Sequence, residues 1–157
     1  MMLVVPSTES EPAMPHEDVL ALAPLFSRLS RKELGCLGRA VVERKFNKGE
    51  TIVKEGDNAV AFFMLTKGRV AVVRGDGSKR SERLNEIGAG GFFGEMGLLD
   101  ETPRSASVKA LEDTECLVLS RWDFVAELRT NPHMAVAMLP VLSQRVRELN
   151  ARLGERD

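Results

Sequence analysis

The sequence predicts a mainly β fold with flanking helices, a small antiparallel barrel or sandwich between an N-terminal and a C-terminal helical segment. Three observations predict it. Between residues 41 and 120 the apolar residues come in short runs of β-formers. Glycine-rich turn signals separate those runs. On either side of them the apolar period is helical.

A chain of 157 residues fits one domain, and at this size a fold buries about 70% of its unfolded surface. It needs neither disulfide nor metal to be stable. Residues 1–15 carry Pro6, Pro12, Pro15, Ser7, Ser10, Glu9 and Glu11 and are expected to form a disordered tail. A single domain is expected over 16–157, with helices over 17–39, the β core over 40–120 and C-terminal helices over 121–153.

The elements follow in order. Val19, Leu20, Leu22, Leu25 and Phe26 fall at helical spacing, with Pro24 as a break. Ser30, with Glu33 three residues on, reads as a capping box opening a second helix whose Leu34 and Leu37 face inward. Strand runs then follow around Val41-Val42, Phe46, Ile52-Val53, Phe62 to Leu65 and Val70 to Val73. Their separators are residues 47–49, 55–58, 67–68 and 75–78, and Asp76-Gly77 within the last is a hairpin signal. Further strands are expected over 83–87, 105–110 and 115–120. Ser120 is the candidate cap of a helix carrying Trp122, Phe124, Val125 and Leu128. Asn131-Pro132, a cap followed by a first-turn proline, opens a last helix running to residue 153.

Composition excludes several functions. With 22 Lys+Arg against 23 Asp+Glu, there is no electrostatic case for binding long nucleic acid. The longest apolar run, residues 134–142, is broken by Pro140, and a membrane-spanning helix needs about 20 residues, so no membrane insertion is expected. Residues 1–15 hold no Lys or Arg, and the apolar run 1–5 is too short for a secretory signal. A cytoplasmic protein is expected, with Cys36 and Cys116 as reduced thiols. Of two histidines, His16 is placed in the tail and His133 in the first turn of the last helix. No His-x-His, Cys-x-x-Cys or Glu-x-x-His pattern occurs, so no metal, haem or other cofactor is expected. A Ser–His or Cys–His nucleophile pair would have to use one of those two peripheral histidines, and no enzyme activity is expected. A cupin-type enzyme would need histidine ligands inside the barrel, and residues 40–120 contain no histidine.

One stretch carries chemistry. Residues 88–97 contain five glycines, which let a backbone approach a partner closely. Residues 95–99 can form one short helical turn whose free N–H groups suit an anion. Arg104 follows at the start of a strand, and a planar guanidinium is the best bidentate partner for phosphate. Glu95 in the same loop needs donors of its own, and ribose hydroxyls would serve. Plain alternatives stand beside this: a mobile glycine loop, and Arg104 paired with Glu101. There is no P-loop and no dinucleotide fingerprint.

The run Phe93-Gly94-Glu95-Met96-Gly97-Leu98-Leu99, with Pro103-Arg104-Ser105-Ala106 and Val108, resembles the phosphate-binding cassette of cyclic nucleotide-binding domains. Upstream, Lys48-Gly49-Glu50, Ile52, Glu55-Gly56-Asp57, Phe62-Phe63, Leu65, Gly68, Val70 and Val72 resemble the same family in the same order. The resemblance covers residues 22–149. It implies an eight-stranded antiparallel β-roll, jelly-roll-like, with N-terminal helices and two C-terminal helices. It implies that Arg104 grips a cyclic phosphate and that Glu95 accepts from the ribose 2′-hydroxyl. It also implies that Gly94, Met96 and Gly97 offer backbone contacts, and that Ser105 places a hydroxyl near phosphate or base. The expected function is a non-catalytic sensor of a cyclic mononucleotide, cAMP rather than cGMP. The alternative is an interaction or structural domain of the same fold with a vestigial site, against which the retained Glu95 and Arg104 speak.

Only 37 residues follow residue 120, too few for the DNA-binding domain of the family's transcription regulators, so an effector domain or partner outside this chain is expected. In the last helix Leu139, Leu142, Val146, Leu149 and Leu153 are spaced 3, 4, 3 and 4 apart. Residues 134–138 are expected to cover the barrel. The resemblance implies that residues 143–157 are a lid ordered by ligand, with Arg145 reaching or stacking on the base. The same stripe is expected to allow a homodimer.

Overall fold

The computed structural model describes residues 14–154. The tail expected over 1–15 therefore lies, but for Met14 and Pro15, outside the described residues, as does the end of the proposed lid, 155–157.

Two helices and a 3₁₀ turn lead into the β core: α1 (His16–Leu20), a turn at Pro24–Phe26, and α2 (Arg31–Ala40). Pro24 supplies the break by opening the 3₁₀ turn. Ser30 forms the full capping box, its hydroxyl accepting from the Glu33 N–H while the Glu33 carboxylate accepts from the Ser30 N–H. Leu34 and Leu37 are buried as expected. Leu22 is exposed, because α1 has ended two residues before it. His16 belongs to α1 rather than to a tail, since Nδ1 lies 3.0 Å from the Gly38 carbonyl.

Eight strands follow: β1 (Val42–Phe46), β2 (Thr51–Val53), β3 (Ala61–Lys67), β4 (Arg69–Arg74), β5 (Glu82–Gly88), β6 (Phe92–Phe93), β7 (Ser107–Ala110) and β8 (Thr114–Ser120). They form two four-stranded antiparallel sheets, ordered β1-β8-β3-β6 and β2-β7-β4-β5. This is the expected β-roll. The C-terminal helices are α3 (Arg121–Thr130), capped by the Ser120 hydroxyl accepting from the Asp123 N–H, and α4 (Pro132–Gly154), which continues through Pro140. Asn131 and Pro132 open α4 as expected, the Asn131 carbonyl accepting from the Met134 N–H, and the Asn131 N–H also closes α3 on the Glu127 carbonyl. Among the described residues, no helix is long and apolar enough to cross a membrane.

The continuous apolar runs of β3 and β8 have a structural cause. Side chains alternate across a strand. Phe63, Leu65, Cys116 and Val118 point between the sheets, where they meet Phe46, Val70, Phe93, Val108 and Ala110. Phe62, Met64, Leu117 and Leu119 point the other way, against Leu20, Leu25, Phe26, Leu37, Phe124, Met134 and Met138. The central strands of the first sheet are thus buried on both faces, and the layers run helices, sheet, sheet. Met134 and Met138 are 0% and 3% exposed, so the first half of α4 does cover this sheet.

The capping box ties this arrangement to pH. The Ser30 N–H first, and the His133 ring second, hold the Glu33 carboxyl below its ordinary value of 4.5. A lowered folded-state pKa contributes stability that is present above the ordinary value and is lost as pH falls through the folded-state one. Ser30→Ala removes the cap and should cost about 1 kcal/mol, a Tm decrease of about 2–4 °C by calorimetry at neutral pH. The stability gap between wild type and Glu33→Gln should be present at neutral pH and should shrink in acid, below 4.5.

Candidate functional site

The cassette links β6 to β7. Gly94 sits at φ +83° and ψ 13°, a left-handed conformation that turns the chain off β6 into a 3₁₀ turn at Glu95–Leu98. Leu98, 1% exposed, anchors that turn in the core beneath the helices. The first N–H groups of such a turn are left unused by it.

Arg104 lies just before β7, and not at the start of the strand as expected. The segment around it is bridged instead to the turn at 55–58. The Gly56 N–H donates to the Arg104 carbonyl (2.9 Å), the Arg104 N–H donates to the Asp57 carbonyl (2.7 Å), and the Ala59 N–H donates to the Thr102 carbonyl (3.1 Å). Asn58 and Pro103 form an isolated bridge. Gly56, at φ +91°, makes this tight turn possible. Gly56 and Asp57 therefore fix the backbone of Arg104, while the Glu55 N–H donates to the Ser107 hydroxyl.

The guanidinium of Arg104 is partly buried. Nη2 donates to the Ala61 carbonyl at 2.9 Å, and the group lies 5.9 Å from the Phe63 ring centroid. Phe63 is stacked on Phe93 at 4.8 Å and packs against Phe46. Burial pulls the pKa of Arg104 below its ordinary value, yet an arginine stays charged in proteins. Among the described residues no carboxylate pairs with it, and Glu101, the alternative partner, is turned toward Arg121 at 3.4 Å.

Glu95 is 7% exposed and has partners from both ends of the chain. Oε2 accepts from the Leu25 N–H at 3.2 Å. Oε1 accepts from Arg145 Nη2 at 2.7 Å. Arg145 Nη1 also lies 3.3 Å from Met96 Sδ. Arg145 is therefore engaged with the cassette itself.

A cavity of about 290 Å³ opens between these groups, near the lower end of the roughly 300–1,000 Å³ typical of small-molecule sites. Gly94, Glu95, Met96, Gly97, Arg104 and Ser105 all line it. Arg145 is not among the lining residues, and contacts two that are, Glu95 and Met96. The floor is a row of three valines that the sequence reading did not assign to the site. Val53 and Val72 each pair across the ladder with Val108. Their place in strand runs was legible, but that three strands bring them side by side was not. The result is an apolar floor, a cation at one wall and a carboxylate at another. That arrangement can take a flat apolar ring carrying hydroxyls and one compact anion. Among the described residues no cluster of three or more His, Cys, Asp or Glu could hold a metal ion.

A Cβ at position 94 would lie 2.6 Å from Arg104 Nη1 and 2.7 Å from the Ala61 carbonyl oxygen, on a left-handed backbone. Gly94→Ala should therefore displace the guanidinium while the remote core stays packed. The expected outcome is at least a tenfold loss of anion-ligand affinity, about 1.4 kcal/mol or more, with far-UV circular dichroism unchanged.

Comparison with known proteins agrees with this geometry. Residues 43–131 match the family model described as cyclic nucleotide-binding domain. The chain is 36% identical over 83% of its length to the Cyclic AMP receptor protein of Thermus thermophilus, covering 61% of that protein. It is 34% identical over 78% of its length to the cAMP-dependent protein kinase regulatory subunit of Colletotrichum orbiculare, covering 30% of it. Among solved structures it superposes on the N-terminal domain of a Streptomyces coelicolor transcriptional regulator with TM-score 0.78 and 30% identity, covering 85% of this chain and 96% of that one. The chain thus spans less than two thirds of the length of the curated relatives named here.

Proposed function

The chain belongs to the cyclic nucleotide-binding domain family, and from that premise we propose that it is a non-catalytic sensor of a cyclic mononucleotide, cAMP in the first place. The observation that carries this is Arg104: a partly buried cation at the cavity wall, backbone-clamped on both sides and without a carboxylate partner among the described residues. A cyclic phosphodiester supplies the single negative charge such a group calls for. Gly94, Met96 and Gly97 would present backbone to the phosphate. Glu95 would accept from the ribose 2′-hydroxyl. Ser105, exposed at the cavity edge, would reach phosphate or base, and the valine row would lie against the base. Cyclic AMP is favoured over cGMP because two similar proteins carry cyclic AMP in their names.

Neither cysteine offers a better reading as a nucleophile. Burial pushes the Cys116 thiol up to about 12, where it is not a thiolate at neutral pH. Both cysteines are free, and a reducing, cytoplasmic location suits them. Signal output would pass through α4, whose Leu139, Val146, Leu149 and Leu153 are each more than half exposed. A second copy of the chain through this stripe, or an effector outside it, would be the receiver.

Parallel calorimetric titrations with cAMP and cGMP test the reading, and micromolar or tighter binding of cAMP is the expected result. Loss of one partner of a buried charge pair costs about 2–5 kcal/mol, so Arg104→Ala should weaken binding by about 30-fold to several-thousand-fold. Arg104→Lys should recover only part, because a point charge cannot form the bidentate fork. Wild-type affinity in the alanine variant would remove Arg104 from the role.

The sugar contact is separable. Glu95→Gln should weaken cAMP more than its 2′-deoxy analogue. Equal losses for the two ligands would mean that Glu95 serves only the helices around it.

A further inference from the structure

Three successive residues leading into β3 hold three different groups. The Ala59 N–H donates to the Thr102 carbonyl at 3.1 Å, the Val60 carbonyl accepts from the Arg121 N–H at 2.8 Å, and the Ala61 carbonyl accepts from Arg104 Nη2 at 2.9 Å. Two arginines are thus anchored on neighbouring residues of one segment, and the residue before them in that series holds Thr102. Glu101 precedes Thr102 in the chain, so its carboxylate meets a choice of cation. It is turned to Arg121, with Oε1 3.4 Å from Nη1. Arg104 is three residues along from it, with Cα atoms at most about 11 Å apart, a gap that a glutamate and an arginine side chain span together. The other acids of the loop are engaged: Asp100 accepts from the Thr102 hydroxyl at 3.0 Å, and Glu95 accepts from Leu25 and Arg145.

The choice is lightly enforced. The side chains of Arg121 and Glu101 are 25% and 46% exposed, and partly exposed pairs contribute modestly. Arg121 Nε is buried with no hydrogen-bond partner among the described residues. A guanidinium that served only a surface pair would turn outward and satisfy that donor. We propose that Arg121 is a positioning residue for ligand binding: it holds Glu101 at the end of the cassette away from Arg104 and so leaves Arg104 to the phosphate. This rests on the reading that the cavity takes a cyclic nucleotide. A carboxylate tethered three residues away acts at an effective concentration of millimolar order or above. Once released, it competes with the phosphate for Arg104, and apparent affinity falls with the fraction of molecules in which Arg104 is unpaired.

The test is a double-mutant cycle read by calorimetry with cAMP, in wild type, Arg121→Gln, Arg121→Lys, Glu101→Gln and the double Gln variant. Arg121→Gln releases Glu101 and should bind cAMP about tenfold more weakly, as when Arg104 is free in about one molecule in ten. Arg121→Lys keeps the charge and should stay within about threefold of wild type. Glu101→Gln removes an acid that is already held aside and should stay within about twofold. The double variant has no carboxylate to release, so it should recover to within about threefold of wild type. In ligand-free protein the Nε–H proton signal of Arg104 should move in Arg121→Gln and return in the double variant. Wild-type affinity in Arg121→Gln would overturn the proposal. So would a double variant as weak as Arg121→Gln, or a Glu101→Gln variant equally weak, since either makes the loss structural. If wild type binds neither cAMP nor cGMP, the reading of the cavity fails. The Arg104 signal then still decides whether Arg121 keeps Glu101 from Arg104, and the two failures are told apart.

Discussion

A half-buried guanidinium that no carboxylate pairs among the described residues is the constraint around which the site is organised. Left to itself, Arg104 would turn toward solvent or toward the nearest acid. It does neither, because its backbone is bonded on both sides to the turn at 55–58, its Nη2 is bonded to the Ala61 carbonyl, and the stacked Phe63 and Phe93 lie beneath it. The nearby acid that could have quenched it, Glu101, is drawn away by Arg121. Gly94 completes the enclosure, since any side chain there would meet the guanidinium. Preorganising a charge in this way places the desolvation cost in folding, so that an arriving anion meets a fixed donor set.

Glu95 joins the rest of the fold to that site. Its carboxylate accepts from Leu25 in the 3₁₀ turn before the β core and from Arg145 in the helix after it. Leu98, three residues on, packs under the same helices. A shift of the cassette by even a fraction of an ångström would therefore act on both helical segments at once. Close-packed interiors pass on such shifts because they cannot absorb them.

Local rules made much of this legible. The capping box at Ser30, the break at Pro24, the cap at Ser120 and the buried strand runs depend on residues a few positions apart, and each stands where the sequence put it. The cassette was legible for the same reason: Gly94 to Arg104 is one short contiguous stretch. What the sequence did not disclose depends on distance. The Leu25–Glu95 and Glu95–Arg145 contacts span 70 and 50 residues. Arg145 was placed near a base from the helix pattern and the family resemblance. Its actual partner follows from how far α4 folds back, which no periodicity encodes. The start of β7 shifted by two residues because the Asn58–Pro103 bridge holds that segment outside the ladder. Leu22 turned outward because α1 ends two residues before it.

The last helix then presents a division of labour along its length. Met134 and Met138 are sealed against the first sheet, while Val146, Leu149 and Leu153 are 55%, 52% and 59% exposed. Arg145 stands at the boundary between those halves. The proximal half is held by buried apolar area, worth about 25 cal/mol per Å², and does not depend on any charge. Among the described residues, the contacts that join the distal half to the cassette are polar, Arg145 to Glu95 and to Met96. A single partly exposed ion pair contributes modestly, so the distal half is joined to the cassette far more weakly than the proximal half is to the sheet. A ligand could shift a helix end held in that way with only a modest differential affinity for its docked and free positions. An apolar stripe whose position followed such a shift is what a receiver of the signal could read.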